Sequence, residues 1–149
     1  MSVGEYCNRE VVIAQRNTDI REAAKLMRAH HVGDLVIVEQ RGEDRVPVGI
    51  VTDRDLVIEV LAQEVAPESI TVGDIMAAEL AVAREGDGLW DTLNRMRSLG
   101  VRRMPVVSAS GSLVGILTVD DVLELLAEGL GDLAGLIRRE MRRESSSRP

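Results

Sequence analysis

The chain contains an internal duplication, and this feature constrains its fold more than any other. Residues 2–38 align with residues 71–107 at an offset of 69, and the alignment continues beyond them at an offset of 66. The offset changes within the polar stretch 39–47, where a surface turn tolerates an insertion. The identical pairs include Glu10 and Glu79, Ala14 and Ala83, Met27 and Met96, Arg28 and Arg97, Val32 and Val101, Val38 and Val107, Gly49 and Gly115, Ile50 and Ile116, Thr52 and Thr118, and Asp55 and Asp121. The sequence therefore predicts two copies of one structural unit.

Each copy predicts the element order β-α-β-β-α. A short apolar stretch, 11–13 or 80–82, precedes an amphipathic helix, and two β-rich stretches joined by a glycine-containing turn follow. Three strands and two helices leave apolar surface uncovered, so we expect the repeats to pack on each other about a pseudo-twofold axis. The predicted class is α/β (α+β), with repeats at residues 2–66 and 70–127 and a C-terminal segment at 128–149.

The C-terminal segment differs from the repeats. Asp132 is a candidate N-cap for a short helix, and Leu133, Leu136, Ile137 and Met141 form an apolar stripe at helical spacing. Its other face carries four arginines, which a solvated surface explains most simply. We expect the stripe to be a packing or dimer contact rather than a membrane anchor, and residues 145–149 to be disordered.

Composition excludes several functional classes. The net charge is −7, which matches neither nucleic acid nor an anionic membrane, and one Trp and one Tyr offer few stacking platforms. Cys7 is the only cysteine, which precludes an intrachain disulfide and agrees with a reducing cytosol. No apolar run approaches the ~18 residues that span a bilayer. We expect a cytoplasmic protein, and no phosphate-binding loop or Ser-His-Asp set predicts catalysis.

The motif that both copies share has two interpretations. Residues 49–56 and 115–122 each contain a glycine, an apolar run and Thr-x-x-Asp. A hydroxyl at a helix cap and a carboxylate in the first turn suit a strand-to-helix junction. The same two groups also suit the hydroxyls of a sugar, because a carboxylate accepts hydrogen bonds and a threonine donates or accepts one. The residues alone leave both interpretations open.

With both motifs in place, the chain resembles a tandem pair of CBS domains, the module named after cystathionine β-synthase. Residues 103–107, Arg-Met-Pro-Val-Val, are also similar to a strand of that family. The resemblance covers about residues 2–127 and implies a regulatory module that binds AMP, ADP, ATP, S-adenosylmethionine or NAD in clefts between the repeats. It implies a homodimer, a protein target of unknown identity and no required cofactor beyond the adenosine nucleotide as regulatory ligand.

The resemblance also assigns roles to residues. In the family the motif aspartate holds the ribose hydroxyls, the threonine contacts ribose or phosphate, and the residue before the aspartate faces phosphate. One cleft then comprises Ile50, Thr52, Arg54 and Asp55 with Val101, Arg102, Arg103, Met76 and Ala81; the other comprises Ile116, Thr118, Asp120 and Asp121 with Val32, Gly33, Asp34, Cys7 and Val12. Favourable and unfavourable charges are expected to oppose each other, Arg54 against Asp34, and Arg102 and Arg103 against Asp120.

Three functions remain open from the sequence. The first is a sensor of adenosine ligands that acts on a partner, and the second is a structural dimerisation module with empty clefts. The third, an enzyme, lacks any recognisable catalytic motif. Binding of adenosine compounds distinguishes the first from the second.

Overall fold

The computed structural model describes residues 1–77 and 79–147. It forms two compact units, residues 1–117 and residues 118–149. The elements are α1 (Val3–Tyr6), β1 (Ile13–Ala14), α2 (Ile20–His30), β2 (Asp34–Arg41), β3 (Asp44–Thr52), α3 (Asp53–Asp55) continued by a π-helix (Leu56–Leu61), a 3-10 turn (Pro67–Ser69), α4 (Val72–Ile75), β4 (Ala83–Arg84), α5 (Leu89–Leu99), β5 (Arg103–Val107), β6 (Leu113–Thr118) and α6 (Val119–Ser147).

The strands form two small sheets, with the orders β1-β2-β3 and β4-β5-β6. β1 is parallel to β2, β4 is parallel to β5, and β2 is antiparallel to β3. The predicted mixed fold of two repeats is confirmed. The insertion at 39–47 lengthens the β2–β3 hairpin, as expected, whereas the first strands begin two or three residues later than the apolar stretches 11–13 and 80–82 indicated.

The second strand of the first repeat is buried on both faces. Leu35 and Ile37 join the core between the sheet and α2, whereas Val36 and Val38 form a second cluster with Ile116 of β6. A strand covered on both faces explains why this stretch is a continuous apolar run instead of an alternating one. The second cluster joins the two repeats within residues 1–117.

The short helices α1 and α4 are exchanged between the repeats. The N–H of Val3 donates to the carbonyl of Asp87 at 2.8 Å, and the N–H of Val72 donates to the carbonyl of Thr18 at 2.9 Å. The donors and the acceptors of these two bonds are equivalent residues at the offset of 69. The two bonds are therefore related by the pseudo-twofold axis. The sequence boundaries at 2–66 and 70–127 follow the duplication, but each spatial domain takes its first helix from the other repeat.

The C-terminal segment differs from its prediction. The predicted short helix beginning at Asp132 is wrong, because α6 runs without interruption from Val119 to Ser147. The predicted disorder is likewise wrong for Ser145–Ser147, and Arg148 and Pro149 lie outside the described residues. Asp120 and Asp121 in the first turn of α6 suit the positive end of the helix dipole. Within residues 1–77 and 79–147, no helix is both long and apolar enough to cross a membrane.

Candidate functional site

The first Thr-x-x-Asp motif builds a reciprocal helix cap. The N–H of Asp55 donates to Thr52 Oγ1 at 3.2 Å, and the N–H of Thr52 donates to Asp55 Oδ2 at 2.9 Å. This capping box turns the chain directly from β3 into α3. It occupies one carboxylate oxygen of Asp55, while Oδ1 takes no part in the box.

The capping box alone does not identify a binding site. Ser2 with Glu5 and Thr71 with Asp74 form equivalent boxes at the starts of α1 and α4. What distinguishes Asp55 from these residues is its position at the edge of a cleft. The π-helix that follows it is a further unusual feature, since π-helical turns occur frequently at functional sites.

The cleft beside this motif, here called the Asp55 cleft, has a volume of about 460 Å³. Its walls come from both repeats and lie wholly within residues 1–117. Its lining residues are Ile50, Thr52, Asp53, Arg54, Asp55, Ala77, Glu79, Leu80, Ala81, Val101, Arg102 and Arg103. This volume lies within the range of small-molecule sites. The lining offers an apolar strip, three carboxylates and three guanidinium groups.

A close approach of two chain segments supports the wall of the cleft. A Cβ built on Gly49 would collide with Met76 Sδ. An added Cβ would therefore require the Met76 side chain to move, and Met76 packs against the first core beneath the strand. Met76 was predicted as a neighbour of the ligand, but it supports the cleft from the core side and does not line it.

An ion pair joins Arg103, which lines the cleft, to the equivalent residue of the first repeat. Arg103 Nε lies 2.7 Å from Asp34 Oδ2, and these two positions are equivalent under the offset of 69. Arg103 Nε is buried and has no hydrogen-bond partner among the described residues, so the contact with Asp34 is electrostatic without hydrogen-bond alignment. Burial raises the pKa of Asp34, Arg103 opposes this rise, and Asp53 adds to it.

The pseudo-equivalent hollow of residues 1–117 has a different chemistry. Its volume is about 520 Å³, and its lining residues are Asn8, Glu10, Val11, Val12, Ile13, Leu26, His30 and Val32. This lining contains no arginine. Thr118, Asp120 and Asp121 belong to the unit 118–149, where the N–H of Asp121 donates to Thr118 Oγ1 at 3.1 Å. Their assignment to this second site remains a prediction.

The structure brings most of the predicted residues of the first cleft together. Met76 is the one exception. Arg54 lines the same cleft as Arg102 and Arg103, and its opposition to Asp34 stays a prediction. For the second site, Val12 and Val32 line the hollow, whereas Cys7 lies against Gly115 of β6. Burial raises the pKa of the Cys7 thiol, which is the opposite of activating it as a nucleophile.

Sequence reasoning missed four residues that line the Asp55 cleft, namely Asp53, Ala77, Glu79 and Leu80. A signal for one of them was present. Glu79 and Glu10 are identical at equivalent positions; Glu79 lines the Asp55 cleft, and Glu10 lines the pseudo-equivalent hollow. An acidic residue retained in both copies next to an apolar stretch was therefore an indication of a shared site.

Comparisons with known proteins agree with this architecture. An uncharacterised protein of Methanopyrus kandleri, MK0525, is 36% identical over 125 residues, which cover 84% of this chain and 62% of that protein. Hypoxic response protein 1 of Mycobacterium tuberculosis is 34% identical over 124 residues, which cover 83% of this chain and 84% of that protein. Its crystal structure with two coordinated zinc ions gives a TM-score of 0.71 at 31% identity, over 83% of this chain and 98% of that one.

A solved complex with adenosine compounds is also similar. It is the CBS domain pair of protein MJ0100 with 5′-methylthioadenosine and S-adenosyl-L-methionine, which gives a TM-score of 0.73 at 28% identity. The match covers 87% of this chain and 98% of that one. The family model for the CBS domain matches twice, at residues 3–62 and 72–128. The chain therefore belongs to the CBS domain family and carries a tandem pair of these domains.

Proposed function

We propose that this chain is a regulatory module that binds an adenosine-containing ligand in the Asp55 cleft. The observation that carries the proposal is the composition of this one cleft, which combines an apolar strip, a motif carboxylate and three arginines. AMP, ADP, ATP, S-adenosylmethionine and NAD share the adenosine part that these groups suit. The module acts by binding, and no reaction is assigned to it.

The proposed pose follows from the chemistry of the lining. Asp55 accepts hydrogen bonds from the ribose hydroxyls through Oδ1, because Oδ2 already accepts from Thr52. The base lies against the apolar strip formed by Ile50, Leu80 and Ala81. Flat apolar contact and a few directed polar groups are the usual means by which such sites fix a ligand.

The arginines favour a ligand that carries phosphate. Arg54, Arg102 and Arg103 line the cleft, and a guanidinium group binds phosphate through charge-assisted hydrogen bonds. A phosphate oxygen near Arg103 would also give its buried Nε an aligned acceptor. The solved complex of the MJ0100 pair with two adenosine compounds supports the class of ligand.

The same proposal includes assembly and a partner. Val57, Ile58 and Leu61 are exposed apolar residues on the π-helix that follows the motif. We assign this surface to a homodimer that transmits the state of the cleft to a protein target in the cytoplasm. Sedimentation of a monomer at tens of micromolar would contradict this part of the proposal.

A structural dimerisation module is the second candidate. The capping box favours it, because Thr52 and Asp55 already have a structural role without any ligand. A thermal shift assay with the five adenosine compounds separates the two candidates. Ligand at 100 times its dissociation constant adds about 2.7 kcal/mol of stability, which for this size raises Tm by roughly 5–11 °C. No shift with any compound at millimolar concentration favours the second candidate.

The chain offers a matched control for the binding role of Asp55. Asp55→Ala should lower the stability by about 1 kcal/mol as a lost cap, and weaken ligand binding roughly 10- to 150-fold as a lost charged hydrogen bond. Asp74→Ala breaks the equivalent capping box of α4, which lies outside the cleft. It should have the same effect on stability and none on affinity. Equal affinities of the two variants by calorimetry would mean that the motif is a cap alone.

A further inference from the structure

From Leu126 onward, α6 exposes a large amount of apolar surface. Leu126, Leu130, Leu133, Ile137 and Met141, here called the tail stripe, are between 40% and 69% exposed. The segment also contains Gly129, Gly131 and Gly135, each of which costs about 1 kcal/mol in a helix relative to alanine. A helix with this composition is marginal by itself, because most helical stability in proteins comes from packing of an apolar face.

The spacing of the tail stripe is that of a helix-pairing seam. Its members follow one another at intervals of four, three, four and four residues. Leu123 precedes them by three residues and is 58% exposed. Intervals of three and four residues place apolar side chains on the line along which two helices wind around each other. The stripe therefore suits a second helix as its occupant.

The charges of α6 indicate which helix this is and how it runs. Between residues 119 and 137 every charged residue is acidic, namely Asp120, Asp121, Glu124, Glu128 and Asp132. The turns that follow carry Arg138, Arg139, Arg142 and Arg143 with two glutamates. Two copies running in parallel would place acidic half beside acidic half and basic half beside basic half. Antiparallel copies place opposite charges side by side. The axes of two packed helices lie about 8–10 Å apart, a distance comparable with the Debye length, so salt does not fully screen this attraction.

We propose that residues 126–147 of α6 pair in an antiparallel arrangement with the same segment of a second copy of this chain. Leu133 lies at the centre of both patterns, since it is the middle member of the tail stripe and separates the acidic half from the basic half. Leu133 of each copy then meets Leu133 of the other, and Leu126 faces the turn that contains Met141. This contact goes beyond the ligand-binding function proposed above and does not depend on it.

Self-association of matched variants tests the contact. Leu133→Glu places two carboxylates at the centre of the seam and should raise the dimer dissociation constant at least ~100-fold by sedimentation, because two buried leucines are lost. Gly131→Glu is the control, since it adds the same side chain away from the stripe, where an added Cβ meets no atom within 4 Å. It should not weaken association, because it leaves the stripe intact and removes a helix-destabilising glycine. Equal association of both variants and the parent chain would overturn the proposal.

A distance measurement tests the direction of the pair. A spin label at Ser147→Cys in a Cys7→Ser background reports the separation of the two helix ends in the full-length dimer. Antiparallel pairing about Leu133 places these labels about 42 Å apart, because each is 14 residues from the centre at about 1.5 Å per residue. A separation below about 20 Å would show a parallel pair, and a chain truncated after Glu128 that associates as tightly as the full chain would exclude any pairing of the tail. Ligand binding by the truncated chain reports separately on the Asp55 cleft.

Discussion

The two hollows of residues 1–117 share their backbone frame and differ in charge. The Asp55 cleft presents Arg102 and Arg103 where the first repeat has Gly33 and Asp34. The apolar residues diverged much less, since Leu80, Ala81 and Val101 correspond to Val11, Val12 and Val32. The two repeats therefore kept an apolar part of the lining and differ in its charged part. The comparison predicts that only the Asp55 cleft prefers phosphorylated ligands.

One pair of equivalent residues links the electrostatics of the two repeats. Asp34 and Arg103 occupy equivalent positions, yet they carry opposite charges and approach to 2.7 Å. Two identical charges there would repel each other, whereas this pair compensates partly for the burial of each side chain. A change in one repeat consequently alters the electrostatics of the other.

The largest expected effect comes from removing two of the arginines that line the Asp55 cleft and are proposed to bind phosphate. Arg54→Ala with Arg102→Ala should weaken AMP binding at least ~10- to 150-fold, the value of one lost charged hydrogen bond, and leave adenosine binding nearly unchanged. Calorimetry with both ligands measures the difference. Arg95→Ala with Arg97→Ala removes the same net charge from the exposed face of α5 and should affect neither ligand. An equal loss for AMP and adenosine would show that the arginines do not act on phosphate.

The fold was largely predictable because the duplication shows the same sequence pattern twice. Two coherent offsets predicted two repeats, and the Thr-x-x-Asp motif marked where β3 ends and α3 begins. The assignment of Val101, Arg102 and Arg103 to the cleft of Asp55 came from the family resemblance. The structure brings these residues together, whereas their contacts with a ligand remain predictions.

Other features depended on contacts that a linear pattern does not encode. In the sequence, the exchange of α1 and α4 is marked only by the equivalent glycines Gly4 and Gly73. The structure shows why they are glycines, because an added Cβ at either position would lie within 3 Å of a carbonyl oxygen of the other repeat. The ion pair between Asp34 and Arg103 could not be predicted from the sequence, because the two residues meet only when the repeats pack about the pseudo-twofold axis. The continuity of α6 was missed because its glycines and Asp132 resemble a boundary.

Removing one side of the ion pair should produce a pH-dependent loss of stability. Arg103→Ala leaves a partly buried carboxylate without its cation, which should cost about 1–3 kcal/mol at neutral pH. The pKa of Asp34 is already raised by burial, and it rises further once Arg103 no longer opposes the rise. Because its pKa is raised in the folded state, ionisation of Asp34 lowers the free energy of unfolding. This loss is absent while Asp34 is protonated, and it develops as the pH rises through the pKa of Asp34 in the folded state. Urea unfolding should therefore show a deficit at pH 7 that shrinks toward pH 4.

The double variant Asp34→Ala with Arg103→Ala provides the control for this pH dependence. It removes the buried carboxylate together with the arginine, so its deficit relative to the parent chain should vary less with pH than that of Arg103→Ala. A deficit of Arg103→Ala that is constant from pH 4 to pH 7 would contradict the coupling. The loss would then come from packing of the arginine side chain.

The smallest expected effect tests whether Asp34 competes with the ligand for Arg103. Asp34→Asn keeps the shape of the side chain and removes its charge, so Arg103 no longer has to leave an anion in order to bind phosphate. The pair is partly exposed, with 21% of the Asp34 side chain and 33% of the Arg103 side chain accessible, which limits the gain. AMP affinity should rise about 2- to 5-fold at low salt, and the gain should shrink as salt screens the pair. Asp91→Asn makes the same net charge change on α5 and should leave AMP binding unaltered. A fall in AMP affinity for Asp34→Asn would mean that Asp34 holds Arg103 in position for the ligand, and the two repeats would then cooperate at this point instead of competing.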